Sequence, residues 1–306
     1  MALTSPTRPE PLRPVDYLLL GYLGLVSLVA AIRAPAQPGC WWLLVAHSLF
    51  VVFLILLTRP GLGKVGRALR EIYPLILLAG LYGELDVLNG VGAREVHDAL
   101  VQRWELALFG SQASVTWWQT TPSAFWSTVL HAAYFSYYFI ILLPALYFVW
   151  SKDTEAVRHF VLVVMTVFVL CYLVFIFFPV AGPYYQFPRP PAWFTDNLPA
   201  RLVYATLASG SSYGAAFPSS HVAATVAAAL ASYRGSRRLG LFLIVPTLLL
   251  TVGVVYCQMH YAVDAAAGLG VGTAVAWALG SRRNAVPLRA PFRRAREQSL
   301  VTPRAG

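Results

Sequence analysis

The chain has 306 residues, of which 58% are hydrophobic and 12% are charged, and its formal net charge is +10. Because about 25% of the residues of an average soluble domain are charged, this composition excludes an ordinary soluble protein and predicts an integral membrane protein. The three cysteines, Cys40, Cys171 and Cys257, make neither a disulfide framework nor a metal site, and we expect them to pack in the interior.

Eight apolar runs approach the length of about 20 helical residues that a bilayer core requires. We therefore predict an all-α fold, a polytopic transmembrane helical bundle of about eight spans. In chain order the predicted spans are residues 17–32, 41–58, 72–88, 128–150, 157–178, 219–233, 239–256 and 261–279. The sequence Ala34-Pro35-Ala36 resembles a signal cleavage site, but we interpret the first span as an uncleaved anchor because further spans follow it at once.

The basic residues are distributed unequally between the two sides of this bundle. If the spans alternate from an inner amino terminus, most of the 23 Lys and Arg residues lie inside. The outer side receives only Arg33, Arg94, Arg103, Arg189 and Arg201. This asymmetry follows the positive-inside rule.

The same reasoning predicts the domain organisation. We expect a cytoplasmic segment at residues 1–16, one membrane-embedded domain at residues 17–280 and a basic, disordered cytoplasmic tail at residues 281–306. The tail is able to contact anionic membrane lipids. A nucleic-acid partner is not expected, because no aromatic residues are interleaved in the tail for stacking.

Two predicted outer segments are unusually long. The first, residues 89–127, contains an amphipathic stretch at residues 96–109 and several tryptophans, so we expect it to lie along the outer interface. The second, residues 179–217, is rich in proline and aromatic residues. A loop of this length in a compact protein is functional or disordered, and its aromatic content leads us to interpret it as a rigid lip over a site.

Two short polar motifs adjoin the later spans. They are Pro-Ser-Ser-His at residues 218–221 and His-Tyr-Ala-Val-Asp at residues 260–264. Ionisable side chains at the edge of a membrane span are costly unless something pairs or uses them. The predicted topology places both motifs on the outer side, together with Arg189.

Helical spacing and small residues predict how the two motifs meet. Side chains at i and i+4 share a helix face, so we expect Asp264 to orient the imidazole of His260. Small residues spaced four apart allow helices to approach closely. Such pairs are Ala224 with Ala228 and Gly268 with Gly272.

Two histidines, one of them backed by a carboxylate, suit phosphoryl transfer in two steps. One imidazole attacks phosphorus to form a phosphohistidine, and the other protonates the departing oxygen. Free backbone N–H groups near Ser219 and Ser220, at a helix amino terminus, are expected to hold the phosphate oxygens. This division needs no metal, and we expect no cofactor.

The two motifs closely resemble those of the type 2 phosphatidic acid phosphatase superfamily, which read Pro-Ser-x-His and His-x-x-x-Asp. The resemblance covers residues 82–280 and implies a six-helix phosphatase-like core. It implies that His260 is the nucleophile, Asp264 its orienting carboxylate, and His221 the acid for the leaving group and later the base for the acceptor. It also implies a phospholipid or lipid-phosphate donor and, as acceptor, a hydroxyl group or water.

The chain departs from the phosphatases of that family at two cation positions. In their first motif, Lys-x6-Arg-Pro, the lysine position is Gly182 here, although Arg189 and Pro190 match; their third motif begins with Ser-Arg, where this chain has Gly253 and Val254. Each charge-assisted hydrogen bond is worth about 1.5–3 kcal/mol. Fewer cations therefore favour a singly charged phosphodiester over a phosphomonoester dianion.

The chain resembles the branch of inositol phosphorylceramide synthase and the sphingomyelin synthases in residues 98–110, in residues 131–138, in the spacing of the last spans and in Tyr261, directly after the third-motif histidine. Members of that branch are transferases. Arg189 either binds phosphate or faces lipid headgroups at the outer surface.

Several further residues are candidates for a headgroup pocket. Glu84 and Asp86 lie near the outer end of the third span, and His131 and Tyr134 share one face of the fourth with Tyr138. Pairing between helices is the alternative for each of them. His47 lies in mid-span, far from the motifs, and we interpret it as structural.

Other functions are weighed against this one. The histidines are also consistent with a purely structural pair, and a plain lipid-phosphate phosphatase would use the same residues. Residues 210–214 match the G-x-S-x-G pattern of serine hydrolases, with Ser212 as nucleophile, but that pattern needs a strand before the serine. A lipid transporter would place ionisable residues across the bilayer, whereas here they cluster at one side.

Overall fold

The computed structural model describes residues 10–89, 95–210 and 213–281. The predicted tail beyond Ser281, residues 1–9 of the predicted cytoplasmic segment, Arg94, and Ser212 of the serine-hydrolase pattern lie outside the described residues.

The described residues form helices and no strands beyond one isolated bridge, so the predicted all-α fold is confirmed. The helices are α1 (Pro14–Arg33), α2 (Cys40–Leu57), α3 (Lys64–Asn89), α4 (Asp98–Phe109), α5 (Ala113–Thr120), α6 (Ala124–Phe135), α7 (Tyr137–Trp150), α8 (Thr154–Phe177), α9 (Pro183–Gln186), α10 (Ala192–Thr195), α11 (Leu198–Gly210), α12 (Ser220–Gly235), α13 (Arg237–Tyr256) and α14 (Ala262–Ser281).

Five of these helices are long and apolar enough to cross a membrane, and a sixth span arises if the bent pair α6 and α7 is counted as one. The chain is therefore a multi-pass membrane protein. The two other predicted spans are helices as well, but α3 carries charged residues at both ends and α12 has only 16 residues. At 1.5 Å per residue α12 is about 24 Å long, which is shorter than a bilayer core of about 30 Å.

The predicted fourth span is broken rather than continuous. Helices α6 and α7 meet at Ser136 with a bend of 40°. The hydroxyl of Ser136 donates to the carbonyl of Ala133 at 2.6 Å. Such a bond from a side chain to the preceding turn competes with the backbone ladder and bends helices.

The predicted lip at residues 179–217 is partly helical. It contains α9, α10 and α11, and a parallel bridge between Val180 and Ala215 ties its two ends together. Helix α11 packs against α6. In its described residues, 179–210 and 213–217, the lip therefore contains three helices, and its two ends are joined by this bridge.

Helices α8 and α12 form the centre of the bundle. Helix α8 is buried along most of its length and packs against α1, α3, α7, α12 and α14. Helix α12 is rich in alanine, and its small side chains allow close contact with α7, α8, α13 and α14. The first turn of α12 is consequently held by neighbours on several sides.

The contact between α12 and α14 depends on Gly268 and Gly272, the pair for which the sequence predicted close helix packing. A Cβ atom on Gly268 would lie 2.6 Å from the carbonyl oxygen of Ser219, and one on Gly272 would lie 2.3 Å from that of Ala223. Both distances are too short for any side chain. Glycine at these two positions therefore allows the backbones of α12 and α14 to touch.

Charged residues tie α1, α3 and α8 together at the ends farthest from the two motifs. Arg70 pairs with the fully buried carboxylate of Asp16. Arg13 and Arg158 both donate to Glu71 at 2.8 Å. The charge pattern had assigned these residues to one side of the membrane, and the structure brings them together at one end of the bundle.

We expect Gly272→Leu to separate α14 from α12. Overpacking of an interior contact costs about 1–3 kcal/mol or more, so the unfolding midpoint in detergent should fall. Gly270→Leu is the matched control, because a Cβ on Gly270 meets nothing within 4 Å. An equal midpoint in the two variants would contradict the close packing of these helices.

Candidate active site

The structure brings His221 and His260 together from separate parts of the chain. His221 is the second residue of α12, and His260 lies in the turn between α13 and α14. Nδ1 of His221 is 3.4 Å from Nε2 of His260, and the ring centroids are 5.6 Å apart. A small group placed beside this pair would contact both imidazoles.

The first turn of α12 is fastened directly to the start of α14. The hydroxyl of Ser219 caps α12 by accepting from the N–H of Val222, and the N–H of Ser219 donates to the carbonyl of Asp264 at 3.0 Å. The Ser219 N–H is therefore not free for an anion, contrary to our expectation. Among the described residues no acceptor contacts the N–H groups of Ser220 and His221, which are the free donors of this helix end.

Asp264 lies behind His260, but the backbone between them is not helical from the start. Helix α14 begins at Ala262, so His260 precedes the helix. The two side chains therefore do not share a helix face as expected; instead, a turn that is closed by a hydrogen bond to Asp264 brings them together. One carboxylate oxygen, Oδ2, accepts from the N–H of Tyr261 at 2.9 Å and lies 3.5 Å from Nδ1 of His260. That second distance suits an ion pair but exceeds a good hydrogen bond.

Burial decides the charge of His260. Only 4% of its surface is exposed. Desolvation lowers the pKa of His260 to about 4, although the backbone carbonyl of Ala216 offsets part of the effect. The imidazole is therefore neutral near pH 7, and one of its nitrogens has a free lone pair.

Two carboxylates that the sequence analysis did not single out hold this site in place. Asp98 of α4 accepts from the N–H groups of Ala181 and Gly182, both at 2.8 Å. Glu105 of the same helix accepts from two N–H groups at the start of α14, those of Ala262 and Val263, at 3.0 and 2.9 Å. We refer to Asp98 and Glu105 as the carboxylate clamp.

The clamp had one detectable signal in the sequence. Asp98 and Glu105 are seven residues apart and so share one face of the amphipathic stretch. Both are buried, Glu105 fully and Asp98 with 3% of its surface exposed. A buried acid must find donors, but the sequence does not indicate which donors lie opposite.

Tyr261 belongs to the same network rather than to the space around the histidines. Its ring is fully buried. Its hydroxyl donates to Asp98 at 2.9 Å and accepts from Gln102 at 2.9 Å. Tyr261 thus connects α4 to the motif of His260 through hydrogen bonds.

Arg189 is not brought to the histidines. Its guanidinium lies over the rings of Tyr184 and Tyr204, with its central carbon 5.3 and 5.8 Å from their centroids, and it donates to the Tyr184 hydroxyl at 2.9 Å. Tyr184 in turn lines the small cavity beside His260. Arg189 is exposed, and Tyr184 lies between its guanidinium and that cavity.

The backbone explains why this chain lacks cations at the positions noted above. Gly182 has a φ of +92°, and a Cβ there would lie 2.9 Å from that of Ala216, so lysine does not fit. A Cβ on Gly253 would lie 2.8 Å from the carbonyl oxygen of Leu130. Val254 is fully buried in the core, where an arginine would be costly.

Two cavities meet at His221. The smaller, of about 40 Å³, is lined by both histidines and has room for one small polar group or a few water molecules. The larger, of about 620 Å³, is lined by Ser220, Asp86 and Tyr134 among others. The Tyr134 hydroxyl lies 3.3 Å from Nε2 of His221.

Two other predicted pocket residues lie elsewhere. Glu84 accepts from Tyr22 at 2.6 Å and pairs with Nε2 of His47 at 2.8 Å, so it joins α1, α2 and α3. His131 is fully buried and has Nδ1 2.8 Å from the carbonyl of Ser127. Pairing between helices, the alternative weighed for Glu84, is what the structure shows, and His47 has the structural position expected of it.

The sequence model of the PAP2 superfamily matches residues 100–278, which is more than half of the chain and includes both histidine motifs. No curated protein and no solved structure matches the chain significantly.

We expect Glu105→Ala to loosen the turn that carries His260. The change removes two charge-assisted hydrogen bonds, each worth about 1.5–3 kcal/mol, so the unfolding midpoint in detergent should fall and His260 should react faster with diethyl pyrocarbonate. Glu105→Gln keeps one acceptor oxygen and should have an intermediate effect. Glu95→Gln, at an exposed position before α4, is the matched control; equal behaviour of Glu105→Ala and Glu95→Gln would contradict the role of the clamp.

Proposed function

Because this chain belongs to the PAP2 superfamily and is a phosphatase-type membrane protein, we propose that it removes a phosphoryl-containing group from a phospholipid or lipid phosphate. The group passes to a hydroxyl acceptor or to water. The observation that carries the proposal is the meeting of His221 and His260 at 3.4 Å beside a cavity, with Asp264 behind His260.

In the first step the neutral Nε2 of His260 attacks phosphorus. The bond between phosphorus and the leaving oxygen breaks, and His221, which enters this step as the imidazolium, gives its proton to that oxygen, which leaves as an alcohol. In the second step a hydroxyl group or water attacks the phosphohistidine and gives its proton to His221. The bond between phosphorus and nitrogen breaks, and both imidazoles return to their starting states.

Asp264 supports the first step electrostatically. When Nε2 of His260 bonds to phosphorus, the ring becomes positive and its Nδ1–H faces the carboxylate 3.5 Å away. A nearby opposite charge favours the positively charged form of the ring. The free N–H groups of Ser220 and His221 are the proposed donors to the phosphate oxygens.

The charge of the site favours a phosphodiester substrate. Gly182 and Val254 occupy the two positions at which phosphatases of this family carry cations, and Arg189 is held by tyrosines instead of lying beside the histidines. A phosphodiester carries one negative charge and needs fewer cations than a phosphomonoester dianion. This supports a transferase like those of the inositol phosphorylceramide and sphingomyelin synthase branch over a plain lipid-phosphate phosphatase.

We place the reaction on the non-cytoplasmic side of the membrane. The support is the positive-inside rule, together with the separation of the histidines from the charged residues Arg13, Arg70 and Arg158 at the other end of the bundle.

We expect His260→Ala to abolish turnover and His221→Ala to lower it by a factor of about 10² to 10⁴, the range typical of lost acid–base catalysis. The measurement is release of headgroup from a mixed labelled lipid extract, with mass spectrometry to identify the lipid consumed and the product formed. A phosphorylated peptide containing residue 260 should be recovered from acid-free digests of the wild type and not of His260→Ala. Normal turnover in either variant would contradict the role assigned to it.

The pH dependence should reflect the burial of His260. Since its pKa is lowered to about 4, the attacking nitrogen stays unprotonated well below the ordinary histidine pKa of about 6.5. With a phosphodiester, which does not titrate in this range, protonation of His260 should lower the rate of phosphoenzyme formation in rapid-quench experiments only as the pH approaches 4, whereas the need for a protonated His221 lowers the rate as the pH rises. A decrease centred near 6.5 as the pH falls would contradict this assignment.

The folded state itself should lose stability over part of the same range. Folding lowers the pKa of His260 from its ordinary value of 6.5 to about 4. Between these two pH values the unfolded chain binds more protons than the folded protein, so the free energy of unfolding falls as the pH falls. Unfolding midpoints measured at each pH therefore serve as the control for the rates.

A further inference from the structure

The large cavity beside His221 extends deep into the membrane-spanning part of the bundle. Its wall on α3 runs from Asp86 to Leu75, a length of about 16 Å at 1.5 Å per residue. That is about half the thickness of a bilayer core of about 30 Å. A headgroup or a small soluble acceptor does not require a cavity of this depth.

The lining of the cavity changes from polar to apolar along this length. At the end near the histidines it includes Asp86, Ser220 and His221, and at the far end it includes Leu75 and Leu142. Several tyrosines line the region in between, and their rings combine an apolar body with a polar tip. This gradient, with its polar end beside the reactive pair, matches a phosphorylated lipid that points its chain towards the middle of the membrane.

Small residues on α3 keep the side of the cavity open. Ala79 and Gly83 line it, and a Cβ on Gly83 would meet nothing within 4 Å. Gly83 is therefore not required for helix packing, unlike Gly272. Both small residues are exposed, as are Tyr138 and Leu142 on α7 across the gap, so the cavity opens sideways towards the surrounding lipid.

Helix α3 precedes the region that the family model matches, residues 100–278. The open wall of the cavity is consequently supplied by a part of the chain outside the matched region.

We propose that one hydrocarbon chain of the substrate lies in this cavity, that it enters between α3 and α7, and that Ala79 and Gly83 determine which chains are accepted. This assignment rests on the proposed function for the identity of the phosphorylated substrate, but the binding of a chain is measurable without turnover.

The test uses hexadecylphosphocholine, a single-chain phosphodiester, with a photoreactive diazirine at the end of its chain. In the full-length protein the probe should crosslink to residues at the deep end of the cavity, such as Leu75, Leu78 and Leu142, as mapped by mass spectrometry. Gly83→Leu should remove these crosslinks by filling the cavity, and it should not harm the helix, because leucine is a better helix former than glycine. Gly80→Leu is the matched control, since Gly80 is equally open, lies on the same helix and does not line the cavity.

An activity measurement complements the crosslinking. The ratio of kcat/KM for a long-chain phosphodiester phospholipid to that for its short-chain, water-soluble counterpart should fall at least tenfold in Gly83→Leu and stay unchanged in Gly80→Leu. Crosslinks confined to other surfaces, or equal losses for both substrates in Gly83→Leu, would overturn the proposal; the second result would indicate that the cavity holds the headgroup or the acceptor.

The two proposals fail in different ways. Crosslinks in the cavity of a protein that turns over no phospholipid would contradict the proposed function and leave the chain site intact. Turnover that requires both histidines, without crosslinks in the cavity, would contradict the chain site alone. His260→Ala should retain the crosslinks while losing turnover.

Discussion

Buried backbone N–H groups must have acceptors, and in this protein two carboxylates of α4 supply them where the histidines meet. Asp98 accepts from two N–H groups at the beginning of the lip, and Glu105 accepts from two at the beginning of α14. Without these acceptors the turn carrying His260 would present unsatisfied donors to a low-dielectric interior, at a cost of several kcal/mol. The clamp thus links an amphipathic helix to the position of the proposed nucleophile.

The clamp also accounts for the charge of the site. Gly182 donates to Asp98 from a backbone conformation with positive φ and with Ala216 in contact, so the position that is a lysine in phosphatases of this family has no space for a side chain here. The carboxylate of Asp98 accepts from the backbone N–H groups of Ala181 and Gly182 and has no cationic partner among the described contacts. The absence of a cation at position 182 and the attachment of the loop to α4 are therefore two results of one local arrangement.

The features predicted from the sequence are those that depend on nearby residues or on membrane physics. Each of the eight apolar runs is helical in the structure, although the fourth is divided between α6 and α7, and the glycine spacing in α14 predicted its tight contact with α12. The bend at Ser136, the helical part of the lip and the pairing of Glu84 with His47 were not predicted. Each depends on a partner chosen by tertiary packing, and neither periodicity nor hydropathy contains that information.

The hydrogen bond from the Ser219 N–H to the Asp264 carbonyl has a mechanical consequence. It joins the two motifs at their backbones, and Gly268 and Gly272 of α14 lie against the same turn, so these contacts fix the position of His221 relative to His260. We therefore expect a movement that admits a bulky molecule to take place in the opposite walls of the cavity, on α3, α7 and α11, and to leave the spacing between the two rings unchanged.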